Sequence, residues 1–441
     1  MPWAPRPGVL AALLERGGTL GTIELLIVLL ALGVATALVA QRLRFPYTLA
    51  LVIVGLVLGF ARVVPTLALD PSVVLFIFLP ALLFEGAWNA DAKVMRKNWI
   101  PIALLAIPGL LISLGIVAGI LHFAADLPWL VALLVGAIVS PTDPIAVVAL
   151  MRQLGMPARL RVIIEGESLF NDGVGAAVYL IVLGVLVTLH GGTSLYVSGP
   201  WWNVVLHVLW LFAGGPLIGL LAGVVIARFL RHVEDHLLET AITFGAAYGV
   251  YFIADSLATS GLLAVVTTGL ILGTYGRRIG ITARGREAVD TVWEFTGYLA
   301  NSLLFLLVGL QIGASSFAGA LIPIAWAVVG VVLGRALMIF ILFTLHDAAA
   351  RWVDRQPALK RQRALARLVA LPRRWRPLLL LSGVRGALSL ALVLSLPSMV
   401  PQADLLTRIV YGVVLFTLLV QGIGLRFLLP RWPRAAGGEG D

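Results

Sequence analysis

Residues 135–150 read VGAIVSPTDPIAVVAL, and residues 161–180 read RVIIEGESLFNDGVGAAVYL. The first stretch is apolar except at its centre, where Pro141 and Pro144 bracket Thr142 and Asp143. Each proline lacks a backbone N–H and clashes with the carbonyl four residues back, so a helix through this point opens. A carboxylate beside opened backbone predicts a Na⁺ or K⁺ site, with the freed carbonyls taking a cation as partner. In the second stretch Glu167, Ser168, Asn171 and Asp172 fall within an arc of about 140° on a helical wheel. Ser168 and Asp172, four residues apart, present a hydroxyl and a carboxylate to one cation, and Glu167 and Asn171 form the neighbouring row. A proline kink with Asp143 satisfied by its neighbours, and a purely structural polar seam, are the weaker readings.

Both stretches lie in a membrane chain. Of 441 residues, 12% are charged and 60% hydrophobic, and the mean hydropathy is +1.01. A soluble domain carries about 25% charged and 45–50% apolar residues, so too little polar surface exists to cover a soluble body. The apolar runs are continuous rather than alternating, which selects spanning helices over an outer-membrane barrel. With no cysteine, disulfides and thiolate metal sites are excluded. His232 and His236 have the spacing of a metal pair, but HVEDH lies in a charged loop and reads as that loop's polarity.

Thirteen apolar segments predict an all-α polytopic fold: 20–41, 47–63, 71–89, 99–122, 129–150, 160–189, 201–227, 237–255, 259–275, 291–313, 321–345, 377–399 and 405–429. Alternating the loops between two sides puts 26 of the 32 Lys and Arg on one side and only Arg6, Arg16 and Arg62 on the other. By the positive-inside rule the C-terminus is then cytoplasmic and the N-terminus outside. The same sorting accounts for the net charge of +10 and removes the case for nucleic acid. The expected layout is an extracytoplasmic segment 1–19, a transporter domain 20–429 and a short cytoplasmic tail 430–441. A basic cytoplasmic loop, 346–376, is read as an orientation anchor on anionic lipid.

Ionisable groups at membrane depth cost at least about 2.5–3.5 kcal/mol each, and each needs an explanation. Arg335, deep in segment eleven, needs an anion, and Glu167 is the expected partner. Arg385, in SGVRGALSL between two glycines, marks a second interrupted helix seven segments after the first. Glu85 and Glu165, nearer segment ends, read as packing or gate residues, and Asn301 and Gln311 as bonds between helices.

SPTDPIAV, followed by ESLFNDG, resembles the sodium/proton exchangers of the cation:proton antiporter superfamily, nearest the NhaP-type branch. FLPALLFEGAWN, NSLLFLLVGLQI and GVRGALSLAL match that family's other signatures, over roughly residues 20–430. The resemblance implies inverted repeats, two broken helices crossing near mid-membrane, and a homodimer in the cell membrane serving pH and sodium homeostasis. It makes Asp172 the main carboxylate for ion and proton, with Asp143, Thr142 and Ser168 completing a Na⁺ site and Asn171 alongside. Glu167 and Arg335 become a stabilising ion pair; Glu165, Glu85 and Arg385 stay, on their position alone, as supporting or gating residues. Asn171 before Asp172 implies electroneutral exchange of one Na⁺ (or Li⁺) for one H⁺, without enzymatic activity or cofactor. Potassium/proton exchange at the same site is the alternative. A cation channel lacks a filter motif, and an intramembrane aspartyl protease lacks its flanking motifs.

Overall fold

The computed structural model describes residues 19–43, 45–62, 73–192, 201–354, 372–397 and 399–424. Among these, every regular element is helical. The helices are α1 (Thr19–Arg42), α2 (Tyr47–Phe60), α3 (Val74–Asn89), α4 (Trp99–Ala125), α5 (Trp129–Val139), α6 (Ile145–Gln153) and α7 (Ala158–Leu189). They continue with α8 (Trp201–Leu230), α9 (His236–Ser256), α10 (Gly261–Ile271), α11 (Ala283–Ala314) and α12 (Leu321–Asp354), and end with α13 (Arg376–Leu381), α14 (Ala387–Leu394) and α15 (Ala403–Gly424). Seven of the described helices are long and apolar enough to cross a membrane unbroken. Of the other segments, the first is the unbroken 24-residue α1, and the rest are shorter or interrupted. Segment five is split into α5 and α6, and segment twelve into α13 and α14.

Within 346–376, α12 stays helical through Asp354 and Arg373–Trp375 form a 3₁₀ turn. HDAAARWVD contains no Pro or Gly to stop the helix. Residues 355–371, the N-terminal 1–18 and the tail 430–441 lie outside the described residues.

The chain divides into two compact units, one formed by residues 1–69 and 298–316, the other by 70–297 and 317–441. In the smaller unit, GLVLG of α2 faces GLQIG of α11. A methyl added at Gly55 would meet the Leu310 nitrogen at 2.8 Å, and one at Gly309 the Gly55 Cα at 3.0 Å. Small residues four apart let two backbones touch, which drives association where lipid is as apolar as the side chains. Asn301 makes no such bond among the described residues: its Oδ1 is buried without a partner.

In the larger unit, Gly215, Gly219 and Gly223 of α8 present a second small-residue row to α10. The opposite side of α10 meets α3, where a methyl at Gly269 would lie 2.8 Å from Ala87 Cβ. Trp293 of α11 is fully buried between Phe84 and Phe244, with each ring centroid 4.4 Å away, and it donates to Thr243 Oγ1 at 2.9 Å. Glu239, fully buried in the first turn of α9, accepts from the Thr282 backbone N–H (3.0 Å) and hydroxyl (3.1 Å). That carboxylate closes the start of α11 from a neighbouring helix. The loop HVEDH carries another cap, Asp235, which accepts from Leu237 and Leu238 N–H at 2.7 and 3.1 Å.

Candidate functional site: two interrupted helices around a carboxylate pair

The site grows from the backbone groups that Pro141 and Pro144 leave unbonded. In an intact helix, Thr142 N–H would serve the Ile138 carbonyl and Asp143 N–H the Val139 carbonyl. Here Thr142 N–H points at Asn171 Oδ1 (3.5 Å), and Asp143 N–H donates to Val384 O at 2.7 Å. The freed Ile138 carbonyl accepts from the Ser389 hydroxyl (2.7 Å), and the Val139 carbonyl from Arg385 Nε (2.7 Å). These two carbonyls opened at the break thus have donors within the protein. Segment twelve supplies their donors, because an unpaired carbonyl in a membrane must be satisfied within the protein.

Segment twelve is interrupted over residues 382–386 and lies against the first break. Arg385 is fully buried, also donates to the Gly383 carbonyl, and its own backbone N–H goes to Thr417 Oγ1 at 3.1 Å. Thr417 opens a π-helical turn, Thr417–Gln421, in α15; such turns often fall at functional sites.

Asp143 sits where the two breaks meet. Its carboxylate accepts from the Ile145 N–H (3.1 Å) and from the backbone N–H of Ala387. One side chain thus caps the starts of both α6 and α14, where helix dipoles favour an anion. A methyl on Gly386 would collide with this carboxylate. Glycine is required there by close approach.

The helix α7 contributes the other half. Thr142 Oγ1 lies 3.0 Å from Ser168 Oγ and accepts from Asn171 Nδ2 at 2.9 Å, and all three residues are buried. Asp172 is half-buried, within electrostatic reach of Asp143, and takes no hydrogen bond or ion pair among the described residues. The glycines after it have a physical reason: a methyl at Gly175 would occupy the Pro141 ring, and one at Gly173 the Leu263 side chain. They let the broken segment and α10 come against α7 beside Asp172.

Glu167 points elsewhere. It forms an ion pair with Arg335, whose Nη2 donates to Glu167 Oε2 at 3.0 Å; the two residues are 1% and 3% exposed. Arg335 Nε also donates to the Leu379 carbonyl (3.0 Å) and Nη2 to Ser382 Oγ (3.3 Å), both at the end of α13. The pair therefore fixes α7, α12 and the first half of segment twelve together. Glu165 is paired with Arg152 (2.7 Å), and Glu85 accepts from Asn89 Nδ2 at 2.8 Å. Neither reaches Asp172 through a described bond.

The sequence reading missed Val384, Ser389 and Thr417, and it read Gly386 as a helix breaker without its close approach to Asp143. The available signal was the opened backbone around Pro141 and Pro144, whose N–H and C=O groups need partners on another segment. Among the described residues no group of three His, Asp or Glu is placed to hold a resident metal.

Carboxylates at the meeting of two discontinuous membrane helices define an ion-coupled secondary transporter. The chain belongs to the sodium/hydrogen exchanger family, whose transmembrane model matches residues 26–431. It is 38% identical to the Na⁺/H⁺ antiporter ApNhaP of Aphanothece halophytica, over 92% of this chain and 74% of that protein. It is 34% identical to the low-affinity Na⁺/H⁺ antiporter NhaS1 of Synechocystis, with the same two coverages. Against the Na⁺/H⁺ antiporter NhaP of Pseudomonas aeruginosa the identity is 35%, over 80% of each. The sodium proton antiporter MjNhaP1 of Methanocaldococcus jannaschii shares the fold, with a TM-score of 0.73 over 93% of this chain and 98% of that one, at 21% identity.

Proposed function

We propose that this protein exchanges Na⁺ for H⁺ across the cell membrane by alternating access, with the two ions competing for Asp172. The observation that carries the reading is the contrast between the two aspartates. Asp143 is held by two backbone N–H groups, whereas Asp172 has no described partner and stands beside a like charge. A carboxylate so placed takes a proton or a cation, and protonation removes the charge that the cation needs. The Thr142 and Ser168 hydroxyls and the spare lone pairs of Asp143 complete a Na⁺ site. The carbonyls of Ala137 and Ser140, which Pro141 and Pro144 leave without helical donors, are further oxygens for it.

If the core passes between its two openings only when loaded, exchange is obligatory. One net-titrating carboxylate exchanges one Na⁺ for one H⁺, so the membrane potential, worth about 2.3 kcal/mol per charge per 100 mV, drops out. Glu167 and Arg335 hold the moving parts in register, and the chain works as a homodimer with its C-terminus cytoplasmic.

The test is internal pH in proteoliposomes after separate pulses of Na⁺, Li⁺ and K⁺, with the voltage clamped by valinomycin. Alkalinisation on Na⁺ entry, unchanged with clamp voltage, is expected, and Asp172→Asn abolishes it in a protein that stays folded. An equal K⁺ response would move the function to potassium/proton exchange. No proton movement with any cation would sink the reading.

A further inference from the structure

The half-helix α6 is only nine residues long and carries Asp143 immediately before its first turn. It is tied to α7 at both ends. Before the first turn, Thr142 bonds Ser168 and Asn171. In the last turn, Arg152 Nη2 donates to Glu165 Oε1 at 2.7 Å. On α7, Glu165, Ser168 and Asp172 fall within about 60° of one another on the helical wheel. Glu165 lies about 10 Å along the axis from Asp172 on that stripe.

Arg152 is also the cation among three carboxylates, since Glu85 of α3 has Arg152, Glu165 and Glu294 of α11 within electrostatic reach. A methyl on Gly297 would come within 3.1 Å of Glu85, so α3 and α11 close tightly around this group. With Arg152 neutral, three acids from three helices repel one another, and the end of α6 loses its tether.

We infer that Arg152 and Glu165 are a positioning pair: they set how α6 lies on α7, and through α6 they set the spacing of Asp143 and Asp172. The inference rests on the exchange reading for its transport arm only. The pair is 58% and 26% exposed, and exposed pairs contribute little to folding. Its loss therefore shows in ion binding rather than in thermal stability.

Three variants test it: Arg152→Gln, Glu165→Gln and the exchanged pair R152E/E165R. Each single change is expected to raise the KM for Na⁺ by about fivefold, the most that so exposed a pair can set, with kcat and melting temperature little changed. The exchanged pair returns KM to within about twofold of the parent, because the tether is restored with reversed charge. An unchanged KM in both singles, or an exchanged pair as impaired as they are, overturns the proposal.

A second arm does not need transport. The chain has no native cysteine, so spin labels at A149C and L189C report the lie of α6 against the far end of α7. Arg152→Gln is expected to broaden that distance distribution, and the exchanged pair to sharpen it again. An equal width in all variants overturns the positioning role. A parent protein that moves no protons instead sinks the exchange reading, and the label widths still decide the pair.

Discussion

Gly386 shows how one missing carbon can be required by chemistry seven segments away. Its Cβ position is filled by the Asp143 carboxylate, which is there because it caps α14 as well as α6. Gly386→Ala must push that carboxylate off one cap, and overpacking of this kind costs about 1–3 kcal/mol. The expected result is exchange reduced at least about tenfold in vesicles, with a modest fall in melting temperature. Normal exchange in Gly386→Ala would mean that Asp143 need not hold both helix starts. Glu167 and Arg335 call for a different expectation. Removing one charge of a buried pair leaves the other uncompensated, at a cost of about 3–5 kcal/mol. Glu167→Gln should therefore destabilise strongly, and Glu167→Gln with Arg335→Met should recover part of the loss. Melting in detergent, read by fluorescence, checks the order of the three proteins.

Among the elements, the interrupted helices carry the proposed site and the glycine-faced helices bear the packing. The interruption of segment five was legible, since PTDP cannot propagate a helix; that of segment twelve was legible more faintly, from Gly383 and Gly386 around Arg385. What the breaks contact was not, because hydrogen-bond partners about 250 residues apart leave no periodicity to read. The two GxxxG stretches were equally visible as letters, yet nothing in them said that they face each other. In Gly309→Leu an isobutyl group has to enter the α2 backbone, where a single methyl carbon would already lie 3.0 Å from the Gly55 Cα. Cysteines placed on α2 and α11 should cross-link readily in the parent background and poorly in Gly309→Leu. Cross-linking at the parent rate would show that the close approach is dispensable.

At the scale of the molecule, charge sets orientation. The cations that cluster in loops of one parity predict a cytoplasmic C-terminus. A single cysteine introduced beyond residue 430 of the cysteine-free chain should resist a membrane-impermeant maleimide in intact cells and react after lysis. Labelling in intact cells would invert the assignment. Membrane class, the run of apolar segments and the identity of the expensive polar groups follow from local composition and spacing, because burial in lipid penalises each residue where it stands. The carbonyl partners of Arg385 and Ser389, the double cap made by Asp143 and the absence of any described partner for Asp172 arise only when distant segments are packed together. Those contacts satisfy backbone groups across the fold, and the free energy of an unpaired group depends on what the tertiary structure brings within reach.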